Sequence, residues 1–72
     1  MPCVSVDGTP TPSGLSVLAA IRSGKTMPED IAAQADMSLY RVRSGLRQLA
    51  QAGYVAEGNG LFSLTSLGIA AL

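Results

Sequence analysis

The stretch from Asp36 to Val55 constrains the fold of this chain more than any other part. Within it, apolar residues recur at intervals of three, four and three, namely Leu39, Val42, Leu46 and Leu49. A repeat of this kind places all four side chains on one face of an α-helix. We therefore expect an amphipathic helix that buries this face in a core.

The ends of this helix carry their own signals. Ser38 can accept a hydrogen bond from a backbone N–H at a helix start, and Gly53 is a typical stop residue. The sequence thus predicts a helix over 38–52. Its opposite face is polar, and the residues on or beside that face are Tyr40, Arg43, Ser44, Arg47, Gln48 and Gln51.

A chain of 72 residues provides for one small domain. Its composition, 47% apolar and 14% charged, contains enough apolar surface to offset chain entropy, which predicts a folded domain. No apolar run approaches the roughly 20 residues of a membrane span, and the first residues lack the basic and apolar regions of a secretory signal. We expect no membrane partner and a cytoplasmic location.

Catalytic and metal chemistry have few candidates in this composition. Cys3 is the only cysteine and histidine is absent, which excludes an internal disulfide, a cysteine-based zinc site and a histidine base. A catalytic Cys3 would need a base to form its thiolate, and the sequence offers none. We expect no catalytic residue, no metal, no cofactor and no enzyme activity, with Cys3 a free thiol on a loose N-terminus.

The chain before the amphipathic helix divides into three parts. Residues 1–12 combine prolines, a glycine and short side chains, which predicts a flexible N-terminal arm. Ser13 is the expected cap of a first helix over about 14–23. The apolar face of that helix is formed by Leu15, Val17, Leu18 and Ile21.

A second helix is predicted over 28–35. Thr26 and Glu29 have the spacing of a capping box, and Pro28 suits a first helical turn because its missing N–H would be unpaired there. Only residues 36–38 separate this helix from the next one. Two helices joined this closely, the second with polar residues outward, have the helix-turn-helix pattern, although many helical hairpins share that spacing.

The sequence after Gly53 predicts a β-hairpin. Two short runs of strand-forming residues surround Gly58, Asn59 and Gly60, which tolerate the positive φ of a tight turn. We expect the hairpin over about 54–64 and a short final helix over 66–71, capped by Thr65. The predicted fold class is therefore mainly α with a small hairpin (α+β), in one domain spanning 13–72.

Four short stretches follow one another in an order that resembles the winged helix-turn-helix superfamily. They are Ile31-Ala32 with Asp36-Met37-Ser38; Val42, Leu46 and Leu49; Ala52-Gly53-Tyr54-Val55; and Phe62-Ser63-Leu64-Thr65 with Gly68. The pattern is most similar to that of bacterial transcription regulators of the MarR and PadR kind. The resemblance covers residues 13–72 and implies three helices, a C-terminal wing and a short final helix.

The resemblance implies a function in reading double-stranded DNA. In such a small transcription regulator the helix 38–52 would lie in the major groove, and the wing tip would lie near the minor groove. The DNA-binding residues carried over by position are Ser38, Tyr40, Arg43, Ser44, Arg47 and Gln48, with Gly58, Asn59 and Gly60 as the wing.

Charge leaves a second function open. The net charge is zero, the calculated pI is about 6.0, and the predicted wing carries Glu57 but no basic residue. Proteins that bind duplex DNA usually present a basic surface to replace condensed counterions. The alternative is a winged-helix protein–protein interaction module or adaptor subunit without DNA binding. Whether the chain forms a homodimer or takes another protein partner also stays open.

Overall fold

Helices and one hairpin follow one another along residues 2–72, the part of the chain that the computed structural model describes. Their bounds are α1 Pro12–Arg22, α2 Pro28–Ala35, α3 Leu39–Gln51, β1 Val55–Gly58, β2 Leu61–Leu64 and α4 Ser66–Ala70. The predicted fold class is confirmed, because three helices precede an antiparallel hairpin and a short final helix, as in a winged helix. Within the described residues, the helices lack the length and hydropathy needed to cross a bilayer.

A small apolar core joins α1, α2, α3 and the start of β1. Its largest fully buried aliphatic side chains are Val17, Leu18, Ile31, Val42, Leu46 and Leu49. The inner stripe predicted for α3 is therefore confirmed, except that Leu39 at the helix start is only half-buried. The prediction that Leu15 belongs to the core is wrong, since Leu15 lies at the surface of α1.

Two of the predicted helix caps are wrong. α1 begins at Pro12, two residues earlier than predicted, because the hydroxyl of Thr11 accepts a hydrogen bond from the N–H of Gly14 at 3.2 Å. No side chain caps α2, whose N-cap is Met27. The carbonyl of Thr26 instead accepts a hydrogen bond from the N–H of Phe62 at 2.9 Å, which attaches β2 to the start of α2.

The turn between α2 and α3 has the predicted length. Asp36 adopts a left-handed conformation at φ 55° and ψ 49°. The hydroxyl of Ser38 then caps α3 by accepting from the N–H of Arg41 at 3.3 Å, which confirms the predicted cap. This tight turn places α3 across α2 as a helix-turn-helix.

Gly53 ends α3 in the left-handed conformation, at φ 89°. The N–H of Tyr54 bonds back to the carbonyl of Leu49 at 2.9 Å, and the N–H of Gly53 bonds to Ala50 at 3.1 Å. These two bonds form a Schellman motif, which satisfies the last helical carbonyls and directs the chain into β1.

The predicted hairpin is confirmed. Its strands pair in register from Val55 with Leu64 to Gly58 with Leu61. Asn59 and Gly60 connect them with φ values of 54° and 79°. A two-residue turn with both φ values positive matches the right-handed twist of the strands.

Residues 2–11, which we call the N-terminal hairpin, pack against the helices. Val4 and Pro10 form an antiparallel bridge. Cys3 is only 1% exposed and belongs to the core, so the predicted loose thiol is wrong. This placement differs from the flexible arm that the composition predicts, because the helices contain glycines where the backbone and sulfur of Cys3 enter.

Candidate nucleic-acid interface

The helix α3 has three faces with different surroundings. Its inner face lies in the core, as described above. A second face consists of Arg41, Gly45 and Gln48, which are spaced by four and three residues and lie against Cys3 of the N-terminal hairpin. The remaining outward face is the one that the fold leaves exposed.

Four of the predicted DNA-binding residues meet on the outward face of α3. Tyr40 is 82% exposed, although its ring is large and apolar enough to be buried. The side chain of Arg43 is 60% exposed, Arg47 is also exposed, and Ser44 between them is half-buried. The structure therefore brings an aromatic ring, a small hydroxyl and two guanidinium groups together on one surface.

The other two predicted contacts lie elsewhere. Ser38 is exposed at the start of α3, but its hydroxyl already accepts the capping bond. The side-chain oxygen of Gln48 accepts a hydrogen bond from the backbone N–H of Cys3 at 2.9 Å. This bond directs the Gln48 amide toward the N-terminal hairpin and away from Tyr40, Arg43 and Arg47.

A groove of about 680 Å³ lies between α3, the start of α2 and the wing hairpin. Apolar side chains that line it include Met27, Leu46, Leu61 and Phe62. Its charged residues are Glu29, Arg43, Arg47 and Glu57, two basic and two acidic. The formal charge of the groove is therefore balanced, unlike that of α3 itself, which contains three arginines and no carboxylate.

Glu29 faces the outward surface from α2. Its carboxylate lies 3.9 Å from the guanidinium of Arg43, and the two side chains are 57% and 60% exposed. An exposed ion pair of this length contributes at most about 1 kcal/mol. It holds Arg43 beside the groove without preventing the guanidinium from moving to another anion.

The wing tip is exposed and uncharged at all three predicted residues, Gly58, Asn59 and Gly60. The adjacent carboxylate of Glu57 accepts a hydrogen bond from the N–H of Gly60 at 2.7 Å. This bond closes the turn and keeps a negative charge at the wing. A phosphate that approaches the wing would therefore meet backbone groups and a carboxylate.

Sequence reasoning missed the residues that surround the outward face. Glu29 was assigned only to the start of α2, because a cross-helix ion pair leaves no local sequence signal. The contact between Gln48 and Cys3 joins residues 45 positions apart, so it too has no local sequence signal. Gly45 was the one available signal, since a glycine inside a helix costs about 1 kcal/mol relative to alanine and requires a packing reason.

No protein-family model and no curated protein matches this chain. Similar solved structures include two of NcsB1, an O-methyltransferase from neocarzinostatin biosynthesis, one with S-adenosyl-L-homocysteine and one with S-adenosylmethionine and 2-hydroxy-5-methyl naphthoic acid. Each has a TM-score of 0.72 and 27% identity and covers 82% of this chain. This chain spans 20% and 18% of the two methyltransferase chains, so the likeness is to one part of a larger enzyme. The chain is thus a small winged-helix-like domain similar to a segment of a methyltransferase.

Proposed function

We propose that this domain binds double-stranded DNA, with the outward face of α3 in the major groove. The observation that carries the proposal is the exposure of Tyr40, Arg43 and Arg47 on a helix whose other two faces are occupied. An exposed aromatic ring on the same helical face as two guanidinium groups buries little apolar surface in this fold. In a helix-turn-helix, the second helix is the element that enters the groove.

Each residue of this face has a chemical role in the proposal. The guanidinium of Arg43 or Arg47 can donate two hydrogen bonds to O6 and N7 of a guanine. Ser44 is short enough to let the helix approach the base edges. The hydroxyl of Tyr40 can donate to a phosphate, which positions the helix without reading sequence. We assign Gln48 no base contact while its side-chain oxygen is bonded to Cys3.

Charge sets the strength expected of this interaction. The three arginines of α3 supply a local positive field in a chain whose net charge is zero. With about two to four phosphate contacts per domain, log K should fall with log salt at a slope near −0.9 per phosphate. Binding by one domain should therefore be weak, and specific recognition should require two domains on one duplex.

A titration followed by amide chemical shifts tests this proposal. Random-sequence duplex is added to the labelled domain at low salt, and the expected shifts concentrate at Tyr40, Arg43, Ser44 and Arg47. Residues of α4 serve as the internal control, because α4 lies outside the proposed interface. A titration that leaves the outward face of α3 unshifted would show that the domain does not bind duplex DNA through it.

The groove favours a second candidate function, that of a protein-binding module. Its apolar lining and balanced charges suit a protein segment better than a phosphate backbone. A domain of similar shape forms one part of a methyltransferase chain, where it is joined to the rest of a larger protein. In both proposals the domain acts by binding and performs no catalysis of its own.

Site-specific photocrosslinking distinguishes the two candidates. A photoreactive residue is placed at position 40, on the outward face, or at position 61, in the groove, and the protein is irradiated in its native cells. DNA adducts at position 40 support the first proposal. Protein adducts at position 61, without DNA adducts at position 40, support the second and contradict the first.

A further inference from the structure

The N-terminal hairpin holds its own shape through local hydrogen bonds. The N–H of Ser5 bonds to the carbonyl of Thr9 at 2.8 Å. The carboxylate of Asp7 accepts hydrogen bonds from the hydroxyls of Ser5 and Thr9 and from the N–H of Thr9. These bonds link residues 5–9 to one another, so they can persist whether or not the hairpin contacts the helices.

Cys3 attaches one end of this hairpin to two helices. A Cβ built on Gly14 of α1 would overlap the Cys3 carbonyl, and a Cβ on Gly45 of α3 would overlap its sulfur. Each helix therefore contains a glycine at the point where Cys3 enters. Among residues 2–72, the partner of the Cys3 N–H is the side-chain oxygen of Gln48 of α3, at 2.9 Å.

A second attachment lies at the opposite end of the hairpin. The hydroxyl of Tyr54, a core residue at the start of the wing, donates a hydrogen bond to the carbonyl of Gly8 at 2.8 Å. This bond attaches the loop of the N-terminal hairpin to the segment that follows α3. Between the two attachments, Val4 is partly buried against the core and Ser5 is half-buried, whereas Val6 and Asp7 are exposed.

We propose that the N-terminal hairpin is a latch on α3, which opens as a unit while the rest of the domain stays folded. Its long-range attachments are the buried side chain of Cys3, the partly buried Val4 and a few hydrogen bonds, whereas the other core residues hold α1, α2, α3 and β1 together. Segments with few buried contacts open at lower free energy than the whole domain. Opening exposes the Cys3 thiol and frees the side-chain oxygen of Gln48.

The latch connects with the proposed interface through Gln48. When the hairpin is docked, Gln48 is turned toward Cys3, and when it opens, the amide is free beside Arg47 and Ser44 on the flank of α3. This consequence rests on the proposed DNA binding. The opening itself does not, and it can be measured without DNA.

Thiol labelling of the full chain tests the latch. Cys3 is the only cysteine, so reaction with 5,5′-dithiobis(2-nitrobenzoic acid) reports on one site. The labelling rate is measured against urea concentration and compared with global unfolding followed by circular dichroism. If the hairpin opens as a latch, the free energy of the opening that exposes Cys3 should depend on urea less than half as steeply as the free energy of global unfolding. An equal urea dependence, with equal free energies, would overturn the latch.

A matched pair of variants locates the attachment. Gln48→Leu leaves the Cys3 N–H without an acceptor, and Gln51→Leu makes the same change at an exposed position of the same helix. We expect Gln48→Leu to accelerate labelling by about tenfold, which corresponds to the loss of one partly buried hydrogen bond, with Gln51→Leu unchanged. Equal rates in the two variants would contradict the latch.

Tyr54→Phe provides a second test at the other attachment, should Gln48→Leu fail to fold. It removes only the hydroxyl that bonds to Gly8. We expect labelling to accelerate by about two- to tenfold. No change in the labelling rate would overturn the role of this attachment in the latch. A failure of duplex DNA to bind the wild-type chain would contradict the proposed function and leave these labelling results interpretable.

Discussion

The sulfur of Cys3 occupies the space that a side chain at Gly45 would need. The two residues are 42 positions apart in a chain of 72, and neither has an evident role when considered alone. Together they explain why a helix with a buried apolar stripe also contains a glycine. The contact sets how closely the N-terminal hairpin approaches α3.

Gly45→Ala should destabilise the domain more when the sulfur of Cys3 is present than when it is absent. Overpacking a buried site costs about 1–3 kcal/mol, whereas alanine is favoured over glycine inside a helix by about 1 kcal/mol. In a Cys3→Ala background the same substitution should cost less, because only the contact with the Cβ of residue 3, at 3.2 Å, remains. Denaturant unfolding of the four proteins in this double-mutant cycle measures the coupling, and equal effects in both backgrounds would contradict the contact.

Leu46→Ala should destabilise the domain by about 2–5 kcal/mol, because it leaves a cavity in the core. Leu46 is 1% exposed on the inner face of α3. Leu67→Ala, at a half-exposed position of α4, provides the matched control. Thermal unfolding measures both variants, and similar melting temperatures for them would refute the assignment of Leu46 to the core.

Gly68→Ala should also destabilise the domain, by about 1–3 kcal/mol. A Cβ at this position would overlap the carbonyl oxygen of Tyr54, a backbone atom that cannot rotate away. Gly58→Ala is the control, because a Cβ there meets no atom within 4 Å. We expect the control to stay within about 0.5 kcal/mol of the wild type in urea unfolding. A large effect of the control and none of Gly68→Ala would contradict this packing.

Asp7 should make stability depend on pH in the acidic range. Hydrogen bonds from Ser5 and Thr9 lower the pKa of its carboxyl from 3.8 to about 2. A lowered pKa in the folded state means that the contribution is present in full above pH 3.8 and is lost as the pH falls toward 2. The free energy of unfolding of wild type and Asp7→Asn, measured from pH 6 to pH 2, should therefore converge as the pH falls. A constant difference would exclude Asp7 as the cause.

Arg43→Ala and Arg47→Ala should each weaken binding to a cognate duplex by about 1–3 kcal/mol. Each substitution removes a guanidinium that can donate two hydrogen bonds to a base in the major groove of the DNA. Arg22→Ala removes the same charge from the end of α1 and serves as the control. Fluorescence anisotropy at one fixed salt concentration measures the affinities, with melting temperatures confirming that all variants fold. If the three variants lost affinity equally, the effect would be one of overall charge and the outward face would have no specific role.

Much of the fold could be predicted because its signals are local. The spacing of Val42, Leu46 and Leu49, the cap at Ser38 and the stop at Gly53 each act within a few residues. The turn at Asn59 and Gly60 is local in the same sense, since two positive φ values suit those residues. These features determined the helix-turn-helix and the hairpin.

Tertiary contacts decided what local signals left open. The composition of the N-terminal segment predicts a flexible arm, but Gly14 and Gly45 provide a site in which Cys3 packs. Gln48 was likewise predicted to lie beside the outward face, but its side chain accepts a hydrogen bond from Cys3. The predicted capping box at Thr26 does not form, and the Thr26 carbonyl instead accepts a hydrogen bond from Phe62, far along the chain. The sequence by itself determined which elements form and which face of α3 is apolar. Only the tertiary structure decided which polar residues of α3 remain outward, because that depends on backbone and side-chain groups brought together from distant positions.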